Sequence, residues 1–122
     1  MANSSITAVV PVLPVSDLTR AIDFYHRLGF TSTRYQDGDG YAFVRRDDQE
    51  LHLTTLRRRR GEEQSSSGAY FYLADGTATV LEGEFHAAGV PIAETLARRE
   101  WKMNEFVVND PDGNQLVFGE GI

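Results

Sequence analysis

The chain repeats itself once, at a distance of about 60 residues, and this constrains its fold more than any other feature. Val15-Ser16-Asp17 returns as Leu73-Ala74-Asp75, 58 residues on (17 to 75). His26-Arg27-Leu28-Gly29-Phe30 returns as His86-Ala87-Ala88-Gly89-Val90, 60 residues on (29 to 89). Chance likeness of two amphipathic helices is the alternative, but the strand pattern after each helix repeats as well. A half of this size cannot cover both faces of its own sheet, so the halves must pack together or against a second chain.

Each half reads strand, helix, three strands. In the first, Ile6 to Val15 is Val-rich and broken by Pro11 and Pro14, which cannot donate ladder hydrogen bonds, so this strand belongs at an edge. Ser16 or Asp17 caps a helix with an apolar stripe of Leu18, Ala21, Ile22, Tyr25 and Leu28, and Gly29 closes it. Strands are expected over Phe30 to Tyr35, Tyr41 to Arg45 and Glu50 to Leu56. In the second half, Ala69 to Leu73 is a strand. Asp75 or Thr77 begins a helix with stripe Ala78, Leu81, Phe85 and Ala88, ended by Gly89. Ile92 to Ala97 is a short strand, and Met103 to Val108 with Asn114 to Phe118 is the last pair. Pro111 and Gly113 shape the turn of that final hairpin. The expected architecture is α+β: two paired βαβββ modules in one domain, with module one over 6–56, a loop over 57–67 and module two over 68–120.

Three stretches carry a family resemblance: Val12-Leu13-Pro14-Val15-Ser16-Asp17-Leu18; Ala21-Ile22-Asp23-Phe24-Tyr25 with Leu28-Gly29-Phe30; and Asp110-Pro111-Asp112-Gly113-Asn114. In this order they resemble the vicinal-oxygen-chelate superfamily of glyoxalases, extradiol dioxygenases and bleomycin-resistance proteins. Ala8-Val9-Val10-Pro11-Val12-Leu13, Arg46-Asp47-Asp48 before Leu51-His52-Leu53, and Trp101 ahead of Glu105-Phe106 are most similar to the bleomycin-resistance members. That resemblance implies a strand-exchanged homodimer that sequesters a cationic glycopeptide antibiotic, bleomycin-like, in grooves between subunits, without chemistry. Two features depart from the pattern. The loop at Arg57 to Arg60 is basic, and Tyr70 stands where those proteins carry a groove tryptophan. A divergent metal-dependent lyase or dioxygenase of the same superfamily is the alternative.

The residues favour binding over catalysis. Metal-dependent relatives place ligands at positions that correspond here to Val10, about Gly68, and Val117, none of which can ligate. His52 alone sits at a ligand-type position, and one histidine does not make a divalent site. No metal and no cofactor are therefore expected. The chain has no cysteine, no Gly-x-Ser-x-Gly elbow and no phosphate loop. Aromatic residues on or beside strands are the positive signal, and the expected ligand-binding set is Tyr35, Tyr41, His52, Tyr70, Tyr72, Trp101 and Phe106. Strand alternation puts Tyr70 and Tyr72 on one face and Phe71 and Leu73 on the other. A net charge of −6 favours a cationic small molecule, and the arginine run Arg57 to Arg60 reads as a solvated loop, so no nucleic acid is expected. No apolar run reaches the ~20 residues of a membrane span, and Met1 to Ser5 shows no signal-peptide start, so no membrane partner and a cytoplasmic location are expected.

Overall fold

A computed structural model describes residues 4–57 and 65–122. Its elements are β1 (Val12–Pro14), α1 (Leu18–Arg27), β2 (Thr31–Arg34), β3 (Tyr41–Arg46), β4 (Gln49–Thr54), β5 (Gly68–Tyr72), α2 (Ala78–Ala87), β6 (Glu94–Arg99), β7 (Met103–Asn109) and β8 (Gln115–Gly121). The strands form two four-stranded sheets, ordered β1-β4-β3-β2 and β5-β8-β7-β6. In each, the first strand runs parallel to the last and the other pairs are antiparallel. Both halves therefore have one topology, that of a βαβββ module.

The helices follow from their stripes. α1 buries Leu18, Ala21, Ile22, Phe24 and Tyr25, with Leu28 after it. Each fully buried large side chain here contributes about 1.5–3 kcal/mol. Asp17 caps α1 by accepting from the Arg20 backbone N–H at 3.0 Å. Thr77, the N-cap of α2, makes no such bond. Instead the Glu120 carboxylate of β8 accepts from the Gly76 and Ala78 backbone N–H groups at 2.6 and 2.7 Å, a negative charge at a helix N-terminus. Both helices end before a left-handed glycine, Gly29 at φ 86° and Gly89 at φ 80°.

The helix-facing sides of the two sheets share one core. Phe30 after α1 meets Phe71 of β5 edge-on at 6.4 Å, Phe71 stacks on Phe118 at 4.5 Å, and Phe118 stacks on Phe106 at 5.1 Å. A polar network seals the same junction. The Asp110 carboxylate, buried in the β7–β8 turn, accepts from the Asp112 and Asn114 backbone N–H groups, the Asn114 side-chain amide (2.7 Å) and the Tyr25 hydroxyl of α1 (2.9 Å). Asn114 also donates to the Pro14 carbonyl at 2.9 Å, and Asp112 accepts from the Ser16 backbone N–H at 2.9 Å. Burial raises the Asp110 carboxyl above its ordinary range against the pull of the four hydrogen bonds it accepts. Burial, with the Asp110 charge beside it, raises the Tyr25 phenol well above its own. Arg46 makes a second bridge, donating to the Leu28 carbonyl at 2.6 Å and to Glu84 of α2 at 2.8 Å.

Several expected boundaries move. The first strand shrinks from Ile6–Val15 to Val12–Pro14, at the sheet edge where its prolines belong. Pro11 still accepts from the His52 backbone N–H at 2.9 Å, but Ile6 and Val9 stay exposed. Tyr35 leaves its strand for a 3-10 turn, where Gln36 and Asp37 adopt positive φ. The strand expected at Ile92–Ala97 starts later, at Glu94. In the α2 stripe, Ala78 and Phe85 are buried, Leu81 is half-buried and Ala88 is exposed. Arg58 to Arg60, the body of the arginine run, lie outside the described residues.

Candidate functional site

Each sheet has a second face, opposite the helices, and the chemistry gathers there. In the first sheet Ala42, Val44, Leu51 and Leu53 point into the core. Alternation therefore turns Tyr41, Phe43, Glu50 and His52 to the open side. The Tyr41 hydroxyl and His52 Nδ1 lie 2.8 Å apart, and His52 Nε2 lies 2.6 Å from Glu50 Oε2. Phe43 sets its ring against His52 at 4.8 Å and 90°. Both imidazole nitrogens of His52 are thus already engaged within the chain.

In the second sheet the open side carries Tyr70 and Tyr72 of β5, Val117 and Gly119 of β8, and Glu105 and Val107 of β7. Tyr70 and Tyr72 tilt against each other at 4.8 Å and 49°. The Tyr70 hydroxyl donates to Glu105 Oε2 at 2.5 Å, and the Trp101 indole N–H donates to the same oxygen at 2.9 Å. Arg99 Nε stands 3.8 Å from the other oxygen. Glu105 is only 5% exposed, whereas Trp101, in the β6–β7 turn, is 59% exposed. Burial, and then the hydrogen bond to Glu105, raise the Tyr70 phenol above its ordinary range. Gly119 makes this bond possible: a Cβ there would land on the Tyr70 hydroxyl and press on Glu105 Cγ at 3.1 Å.

Between the modules, on the helix side of β5, runs a groove of about 1060 Å³. Phe71, Leu81, Phe85 and Phe118 lie along it, with Val9 and Val10 of the N-terminal stretch opposite and Tyr70 and Tyr72 at its rim.

The expected ligand set therefore divides. Tyr41 and His52 form one cluster on the first sheet, and Tyr70, Tyr72 and Trp101 form another on the second. Tyr35 joins neither, because its turn carries it past the end of β2. Phe106 is corrected: it is 0% exposed, on the core face, stacked on Phe118 and edge-on to Phe85 at 5.9 Å. Its neighbour Glu105 holds the open-face position instead. Glu50, Phe43, Glu105 and Arg99 were not anticipated. A carboxylate two residues before His52, and another one step out of phase with Phe106 and Val108, were the available signals. Among the described residues no three His, Cys, Asp or Glu side chains come together as a metal-ion set. Among them, too, no helix is long and apolar enough to cross a membrane.

The profile of the Glyoxalase/Bleomycin resistance protein/Dioxygenase superfamily matches residues 6–118. A bleomycin resistance protein of Geobacillus stearothermophilus is 30% identical over a 129-residue alignment covering 93% of this chain and 96% of that protein, and one from Staphylococcus aureus matches equally well. The crystal structure of a bleomycin-binding protein complexed with bleomycin superposes with a TM-score of 0.76 at 21% identity, covering 96% of this chain and all of that one. A lactoylglutathione lyase of Agrobacterium tumefaciens superposes with a TM-score of 0.73 at 22% identity, covering 96% of each chain. With a matching profile over nearly its whole length and two βαβββ modules built to the same plan, the chain belongs to the glyoxalase/bleomycin resistance protein/dioxygenase superfamily.

Proposed function

We propose that the protein sequesters a small cationic, heteroaromatic molecule of the bleomycin type by binding alone. The observation that carries this reading is the cluster on the second sheet. Tyr70 and Trp101 are held by one buried carboxylate while their rings stay open to the outside. Fixed aromatic faces beside a negative charge suit a flat, positively charged ligand. The net charge of −6 adds long-range attraction for a cation. The likeness to bleomycin resistance proteins supports bleomycin itself as the first ligand to try.

In this reading the protein acts as a homodimer. Among the described residues no helix packs on the second face of either sheet, where Tyr70 and Tyr72 are exposed, and Ile6 and Val9 are exposed beside the edge strand β1. A second copy laid across these faces turns two open surfaces into closed grooves. Sedimentation at micromolar concentration is expected to give twice 13.6 kDa; a monomer throughout that range contradicts the inter-subunit groove.

The test of sequestration is chemical as well as thermodynamic. Metal-free bleomycin incubated with the protein should be retained on gel filtration and recovered unaltered in mass. A modified antibiotic, or a stoichiometric divalent ion in elemental analysis of the purified protein, points instead to the lyase or dioxygenase branch of the superfamily.

A further inference from the structure

The five tyrosines of the chain differ in what their hydroxyls touch. Tyr25 and Tyr70 donate to the carboxylates of Asp110 and Glu105. A phenolate formed there would face a second negative charge. Burial, and then the neighbouring carboxylate, raise both phenols above their ordinary range. Tyr35 and Tyr72 are 55% and 83% exposed, and among the described residues no base is bonded to either hydroxyl. Among the described residues Tyr41 alone is joined to a neutral base that can take its proton: its hydroxyl lies 2.8 Å from His52 Nδ1.

The rest of the cluster sets which way that proton moves. Glu50 Oε2 lies 2.6 Å from His52 Nε2, and an ionised carboxylate only accepts, so Nε2 carries the ring proton. Nδ1 of the neutral imidazole is then the acceptor, and Tyr41 donates to it. Phe43 stands edge-on to the imidazole at 4.8 Å and holds its plane. Once the phenol proton crosses to Nδ1, the imidazolium lies between the Tyr41 oxygen and the Glu50 carboxylate, with a negative partner on each side. A hydroxyl bonded to a base that a third group orients is the arrangement that activates a nucleophile. All three side chains sit on the open face of the first sheet, half-buried and away from the core. The Glu50 charge and the net charge of −6 disfavour anionic electrophiles such as phosphate and sulfate esters, which leaves neutral carbonyl compounds.

We propose that Tyr41 is an acyl-accepting nucleophile, with His52 as its base and Glu50 as the positioning residue behind His52, and that its substrates are neutral, activated carboxylic esters. The Tyr41 oxygen bonds to the carbonyl carbon while its proton passes to His52 Nδ1. The single bond from that carbon to the leaving oxygen breaks, and the leaving oxygen takes the proton from His52. The acyl-tyrosine is itself an aryl ester. Water attacks it with His52 again as base, the carboxylic acid leaves, and Tyr41 recovers its proton. This goes beyond the sequestering reading and does not depend on it.

The ester p-nitrophenyl acetate tests this, because nitrophenolate release is read by absorbance and an acetyl group on tyrosine by peptide mass spectrometry. The expected result is a burst of about one nitrophenolate per chain, then slow turnover, with acetylation of Tyr41 at least about tenfold faster than that of the more exposed Tyr72. Tyr41→Phe should remove the burst. His52→Gln keeps the phenol without the base and should slow the burst at least about a hundredfold. Glu50→Gln still accepts from Nε2 but no longer balances the imidazolium, so about a tenfold loss is expected, where a merely structural role would leave the rate unchanged. Labelling of the unaltered protein that follows exposure, with Tyr72 ahead of Tyr41, overturns the inference whatever the variants do. So does an unchanged burst in His52→Gln, or an acetyl group that stays on Tyr41 once the ester is exhausted. These failures leave bleomycin sequestration standing, and a bleomycin titration without binding leaves a Tyr41 burst standing.

Discussion

The two modules share a strand order, a helix spacing and a helix-ending glycine, yet they use equivalent positions differently. In module one, the row across the sheet is Pro14, Thr54, Tyr41; in module two it is Tyr72, Gly119, Glu105. Tyr41 and Glu105 therefore occupy the same place, one a phenol and the other a carboxylate. Module one reaches its acceptor through His52. Module two reaches its own by passing a tyrosine hydroxyl over a glycine. The β3–β4 turn of module one is a tight pair, Asp47-Asp48, both at positive φ, and Asp47 is exposed. The corresponding turn of module two, Asp110 to Asn114, is buried and ties back to Tyr25 and Pro14 of module one. The two modules share the core-facing pattern and differ in their turns and open faces, one turn serving as a staple and one face carrying the Tyr70–Glu105–Trp101 cluster.

The largest expected effect is at the staple. Asp110→Ala removes the acceptor of four hydrogen bonds and strands the buried Tyr25 hydroxyl and one of the two side-chain N–H groups of Asn114, the other keeping the Pro14 carbonyl. Urea unfolding should show a loss of about 3 kcal/mol or more. A loss below ~1 kcal/mol means that the apolar core alone joins the modules. Next comes the aromatic open face of module two. Trp101→Ala should weaken metal-free bleomycin binding by about tenfold or more, roughly 1.4 kcal/mol, with unfolding midpoint nearly unchanged because the indole is half exposed. A large fall in stability instead assigns Trp101 to the framework.

Smaller effects are expected in module one. Tyr41→Phe removes the hydroxyl bonded to His52. It should cost about 1 kcal/mol of stability, read by denaturant melting, and shift the His52 ring resonances in NMR. Unmoved resonances show that the pair is not formed in solution. Smallest of all is Asp47→Gly, in the exposed turn. Its positive φ suits glycine, and its ion pair with Arg46, at 3.3 Å, lies at the surface. The expected change is within about 0.5 kcal/mol. A change as large as that at Asp110 erases the contrast between the two turns.

What the sequence made legible follows the same divide. The helices were readable because a helical stripe, a capping residue and a C-terminal glycine coincide twice. The sequence puts Tyr70 and Tyr72 together on one side of β5 and Phe71 with Leu73 on the other, and the strand alternates that way, with exposed tyrosines and a half-buried Phe71 and Leu73. Phe106 was misplaced for a physical reason. In β7, Glu105, Phe106, Val107 and Val108 are all buried, so the polar–apolar alternation that reveals a strand's faces is lost. Parity with Val108 still puts Phe106 in the core and Glu105 outside it, but only once β7 is known to be a central strand. Tyr35 depended on Gln36 and Asp37 entering a left-handed turn, which no nearby glycine within the strand announced. The motif Asp110 to Asn114, the best marker of the family, is an inter-module staple, a role visible only when residues 85 to 100 positions apart are brought together.

The central claim is that the open face of module two, with Trp101 at its margin, meets the ligand. Titration of metal-free bleomycin followed in parallel by calorimetry and by the emission of Trp101 tests it most directly. The account predicts one saturable event per chain, with the same midpoint by both methods. Calorimetric binding that leaves Trp101 emission unchanged, or no binding at all, contradicts it.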